Sequence, residues 1–104
     1  MPRETFHQQL RVLQESLMTM GLQVDAAIGC AIDALANRDV VLARDIIAND
    51  VAINQAQREI EEQCLILIAT QQPLASDLRI IMSIAGIATE LERIGDYAKG
   101  ISRI

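Results

Sequence analysis

Three runs of apolar residues, each spaced alternately three and four apart and parted by two short breaks, leave this chain few folds to choose from. The first run is Phe6, Leu10, Leu13, Leu17, Met20, Val24, Ala27, Ala31 and Ala34. The second is Ala43, Ile46, Asp50, Ile53, Gln57, Ile60, Cys64 and Leu67, with two polar residues set into the stripe. The third is Ile80, Ile84, Ile87, Leu91, Ile94, Ala98 and Ile101. Such spacing places one apolar seam on each of three helices. Two prolines and five glycines in 104 residues argue against a turn-rich β fold.

The breaks carry their own chemistry. Asn37 suits a helix C-terminus and Asp39 the N-cap of the next helix. Pro73 cannot continue a helix but fits the first turn of a new one, and Asp77 then lies where the helix dipole favours negative charge. Thr5 and Gln8 have capping-box spacing and are expected to start the first helix. Each helix spans roughly 25–32 residues, or about 38–48 Å. Breaks this short make sequential helices antiparallel neighbours. The fold expected is all-α, an antiparallel up-down-up three-helix bundle, with residues 1–104 as one domain. The third pattern still runs at Ile104 without a glycine cap or a proline stop, as if the chain were cut inside a helix.

Several functions drop out. The chain carries 14 acidic and nine basic residues, for a net charge of −5, and only two aromatic ones, Phe6 and Tyr97. Such a chain repels a phosphate backbone and offers little for base stacking. The longest nearly apolar run, about Ile80 to Ala88, is too short to span a bilayer, and Met1 to Thr5 lacks the apolar region of an export signal. Cys30 and Cys64 match no zinc or redox spacing and read as core thiols. In the hairpin they stand roughly 27 Å apart, beyond disulfide reach. His7 is the sole histidine and reads as a surface residue, so no zinc hydrolase or Ser-His-Asp arrangement can be assembled. Met18 and Met20 read as core fillers. Glu59, Glu61 and Glu62 read as a solvated face, with Glu62 near enough to assist a metal.

Folding the last two helices about Pro73 brings the candidate site together. Counted outward from that proline, Asp50 falls opposite Asp96 and Asn54 opposite Glu92. Each helix then carries two oxygen-bearing side chains four residues apart, on one face. Three carboxylates and an amide converge, and carboxylates repel unless something positive stands among them. A metal ion held by Asp50, Asn54, Glu92 and Asp96 supplies that charge. The competing reading uses Arg58 and Arg93 as salt-bridge partners, with Asp50 a polar residue that sets helix register. Glu92 and Asp96 lie off the strict stripe, which puts the site in a surface groove beside Gly95.

The run Gln71-Gln72-Pro73-Leu74-Ala75-Ser76-Asp77-Leu78-Arg79, followed by Glu90-Leu91-Glu92-Arg93-Ile94-Gly95-Asp96, resembles the PhoU family of phosphate-uptake regulators. The resemblance extends upstream through Asp39 and the Asp50, Asn54, Ile60-Glu61 stretch. It implies a cytoplasmic helical-bundle protein that acts as a negative regulator of phosphate signalling, not as an enzyme. It implies docking between a phosphate-specific ABC transporter ATPase and a sensor histidine kinase. It also implies a multinuclear iron or zinc cluster on paired Glu/Asp-x-x-x-Asp motifs. Glu92 to Asp96 matches that motif, whereas Asp50 to Asn54 departs from it, with one charge fewer. Family members carry two copies of the unit and this chain resembles the first, so a homodimer or larger oligomer is expected to restore the architecture. An oligomerisation module of a membrane transporter or channel is the alternative function.

Overall fold

In the computed structural model, which describes residues 3–104 and the side chains of residues 5–104, three helices account for nearly the whole chain. They are α1 (Arg3–Asn37), α2 (Val40–Gln71) and α3 (Ala75–Ser102), of 35, 32 and 28 residues. Each packs against the other two. The body is a rod of 54 × 17 × 16 Å, as helices of this length packed side by side require.

Local chemistry explains the corners. Asp39 caps α2, its Oδ1 accepting the Leu42 amide at 3.0 Å. Asn37 ends α1, and Arg38 takes the left-handed backbone position at φ 52°. Gln72 does the same after α2 at φ 45°, returning its amide to the Ile68 carbonyl. Asp77 lies in the first turn of α3, as expected. Two cap expectations fail. Thr5 lies inside α1, so it does not start that helix. Pro73 precedes the N-cap, Leu74, where its fixed φ shapes the turn and not the first helical turn. The export expectation read from Met1 to Thr5 falls mainly outside the described side chains.

Contacts between α2 and α3 run in opposite senses along the chain. The buried Cys64 thiol donates to the Ile81 carbonyl at 3.7 Å, and Asp50, fourteen residues earlier in the sequence, meets Gly95 and Lys99 near the end of α3. The α1 and α2 stripes bury as expected through Leu13, Met20, Val24, Ile46, Ile53 and Ile60. In its most apolar window α1 has a mean hydropathy of 1.2, so by length and composition it passes for a bilayer span, unlike the short run expected to be the longest. Its buried residues nonetheless form the shared core with α2 and α3, as a core helix does.

The α3 stripe keeps its expected course at Ile84 and Ala98, with Leu91 and Ile101 packed against the core, and departs from it at three positions. Ile81, Ile84, Ala88, Gly95 and Ala98 are buried, while Ile80, Ile87 and Ile94 are 39–49 % exposed. Gly95 faces inward where α3 approaches α2 too closely for a branched side chain. A Cβ on Gly95 would stand 3.2 Å from Ile53 Cγ2 and 3.6 Å from Asp50 Oδ1. Ile53 is β-branched and fixed in one helix rotamer, so it yields little. Gly95→Leu is therefore expected to destabilise the bundle by about 1–3 kcal/mol through overpacking. Urea unfolding measures this, and a variant as stable as the parent would contradict the close approach. The methionines divide: Met20 is fully buried, whereas Met18 is exposed and fills no core. Both cysteines are free, Cys64 in the core and Cys30 half-buried.

Candidate functional site

Asp50 sits on α2 between Ile46 and Ile53, where the apolar core divides into two clusters. It is 2 % exposed and is the only buried charged residue among those described. A carboxylate so placed needs compensation, because removing it from water is costly. Asn54, one turn later, donates Nδ2 to Asp50 Oδ2 at 3.2 Å. Lys99 Nζ approaches the same oxygen at 3.6 Å from α3. The other oxygen, Oδ1, is buried and has no hydrogen-bond partner.

Glu92 flanks this pair from α3, half-buried. Burial pushes its carboxyl above the usual range. A hydrogen bond to Asp96 and the charges of Asp96 and Asp50 push the same way, and Arg93 opposes them. Asp96 itself is exposed. The structure brings all four expected residues to one place, with Gly95 and not Asp96 directly against Asp50.

Of the expected salt-bridge partners, Arg58 is exposed and forms no ion pair among the described residues, and Arg93 pairs elsewhere. Arg93 pairs with Glu90 at 3.7 Å, both side chains well exposed, and reaches Glu92 only through space. The near cation is Lys99, which sequence reading passed over. Its signal was available: it is the sole lysine, three residues beyond Asp96 and seven beyond Glu92, hence on the face of those acids. Glu61 is tied down by Gln57 Nε2 at 2.6 Å and by the Thr89 hydroxyl at 3.5 Å, while Glu59 and Glu62 are exposed. His7 is exposed beside the Phe6 ring, as expected.

One buried oxygen suits a cation: Asp50 Oδ1 is an acceptor that no protein donor satisfies, and oxygen ligands lie beside it. Three features oppose a ready-made cage. Lys99 approaches the second Asp50 oxygen, Glu92 and Asp96 are engaged with each other, and no group of three His, Cys, Asp or Glu side chains stands arranged for an ion among the described residues. The donors are present, but they are not assembled around a metal.

The raised Glu92 has a measurable consequence. Unfolded, it ionises at its ordinary value near 4.5; folded, it keeps its proton to higher pH. Its contribution to stability is then complete below the ordinary value and is lost as pH rises through the folded one. Glu92→Gln is expected to remove that loss, raising the melting temperature at neutral pH and flattening its fall between acid and neutral. Parallel melting curves for the two proteins, recorded with chelator present, would refute this account of the cluster.

Comparison with known proteins agrees with this architecture. The PhoU domain family model matches residues 17–104. Over 98 residues the chain is 42 % identical to the phosphate-specific transport system accessory protein PhoU of Escherichia coli (strain K12), covering 94 % of this chain and 41 % of that protein. It is 42 % identical over 101 residues to the PhoU homolog of Streptococcus pneumoniae serotype 4, covering 97 % and 47 %. The crystal structure of PhoU from Pseudomonas aeruginosa superposes with a TM-score of 0.91 at 40 % identity, covering 94 % of this chain and 47 % of that one. The chain therefore spans less than half the length of these relatives. A family match over most of the chain, relatives above 30 % identity and a shared three-helix fold lead to one assignment: the chain belongs to the PhoU domain family.

Proposed function

We propose that the chain is a regulatory adaptor of phosphate transport and of phosphate-responsive two-component signalling, working by docking and not by turnover. The observation that supports it most is the identity of about 40 % with phosphate-specific transport system accessory proteins across 94 % of the chain. The three helices are read as an up-down-up bundle, supported by the opposed register of α2 and α3. The partners proposed are the ATPase of a phosphate-specific ABC transporter and a sensor histidine kinase, on the cytoplasmic side of the membrane. Exposed apolar residues on all three helices, among them Leu22, Val51 and Ile87, offer surface for such docking and for self-association. Charge complementarity steers encounters of this kind and makes them salt-sensitive. Affinity capture at low salt on the immobilised chain is expected to retain one of the two partners. Retention of neither would overturn the reading.

A metal is part of this proposal. Asp50, Asn54, Glu92 and Asp96 would hold iron or zinc, with the unpaired Asp50 Oδ1 as the first donor offered. The ion would supply the positive charge that Lys99 now supplies. Elemental analysis of protein purified without chelator is expected to find metal in the parent and none in a variant carrying Glu92→Ala with Asp96→Ala. Equal metal content in both would remove the site.

A further inference from the structure

Lys99 is the sole lysine of the chain, and its ammonium ends at the one buried carboxylate among the described residues. The helix dipole explains a cation in the last turn of α3. It does not explain why this one turns inward to Asp50, with its own side chain only 30 % exposed. The contact is a loose hold. Nζ stands 3.6 Å from Asp50 Oδ2, longer than a charge-assisted hydrogen bond. That oxygen already accepts from Asn54 Nδ2 at 3.2 Å. An ammonium carries three donors, yet Oδ1 of the same carboxylate receives none of them. Lys99 thus answers the charge of Asp50 and leaves Oδ1 unsatisfied.

From this arrangement we propose that Lys99 is a displaceable internal counter-ion: it holds Asp50 while the site is empty and yields it to a divalent cation at Oδ1. Two cations on one carboxylate stand close enough to repel each other strongly. The flexible four-carbon stem of a lysine, here already partly in water, lets the ammonium leave without moving the helix. A carboxylate this buried is strongly destabilising when left uncompensated. Lys99 therefore lets the site empty and refill while the bundle stays folded. The exchange is reciprocal: a cation at Oδ1 weakens the hold on Lys99, and that hold weakens the cation's binding by the same factor.

The inference rests on the metal reading given above and adds what this chain does when no metal is bound. Its test follows the lysine itself. Protein grown with isotope-labelled lysine gives a single lysine CεH2 signal in a nuclear magnetic resonance spectrum, because the chain has one lysine. The probe is zinc alone, which is diamagnetic. Zinc added to the intact chain is expected to move that signal to its position in the urea-unfolded chain, in step with zinc uptake. In Asp50→Asn the signal is expected at that position before any zinc is added. By calorimetry Lys99→Met is expected to bind zinc about tenfold more tightly than the parent, and Lys99→Arg, which keeps the charge, close to the parent. Zinc bound with the lysine signal unmoved, or equal affinity in the parent and in Lys99→Met, would overturn this proposal and leave the metal site standing. Zinc bound by neither protein would overturn the site and this inference with it. The signal in the parent needs no variant, so the test stays decisive even where Lys99→Met fails to fold.

Discussion

Replacing Ile81 with alanine is expected to cost the bundle about 2–5 kcal/mol, a large share of the roughly 5–15 kcal/mol that holds a domain of this size together. Ile81 is fully buried, in the same apolar cluster as Met20, Ile60 and Ile84. Its carbonyl also receives the Cys64 thiol, so the backbone there is held against α2 and cannot readily collapse into the void. Alanine's better helix propensity returns only a few tenths of a kcal/mol. The neighbouring Ile80→Ala is the control: that side chain is 40 % exposed, and its loss should be felt far less. Urea denaturation of the two variants side by side checks both claims. Equal losses would mean that the inward face of α3 has been misplaced.

The second large effect is expected at Lys99. Its ammonium is the one cation against the buried Asp50, and Lys99→Met leaves that carboxylate with only the Asn54 amide. Removing one partner of a fully buried pair costs about 3–5 kcal/mol. The Lys99 side chain is 30 % exposed and its contact is 3.6 Å, so solvent reduces the loss to about 1–3 kcal/mol. Adding Asp50→Asn should recover most of it, because the uncompensated charge is then gone while the hydrogen bond from Asn54 has an acceptor. The measurement is a double-mutant cycle in denaturant. Additive losses would show that Lys99 and Asp50 do not act as a pair. The same lysine competes with any cation for Asp50, so Lys99→Met is also expected to increase metal uptake.

Much of the candidate site was legible before any coordinates. Asp50 and Asn54 stand one turn apart, as do Glu92 and Asp96, and counting from Pro73 placed the pairs at one height. The count was one residue off, because the turn includes a left-handed Gln72 and a free Leu74 before α3 begins. The spacing of the acids marks the carboxylates but not the cation that answers them, Lys99. The α3 stripe was misread for a related reason. Hydropathy favours the isoleucines at 80, 87 and 94, yet Ile81, Ala88 and Gly95 take the interior, Gly95 where α3 comes too close to α2 for a branched side chain.

Periodicity and the breaks between the runs were enough to define three helices and their approximate ends, since these depend on neighbours three or four residues away. Which flank of α3 turns inward, which oxygen of Asp50 lacks a partner and which cation answers it depend on distances between helices. Those distances are set by the joint packing of many side chains from all three rods, and no local spacing encodes them.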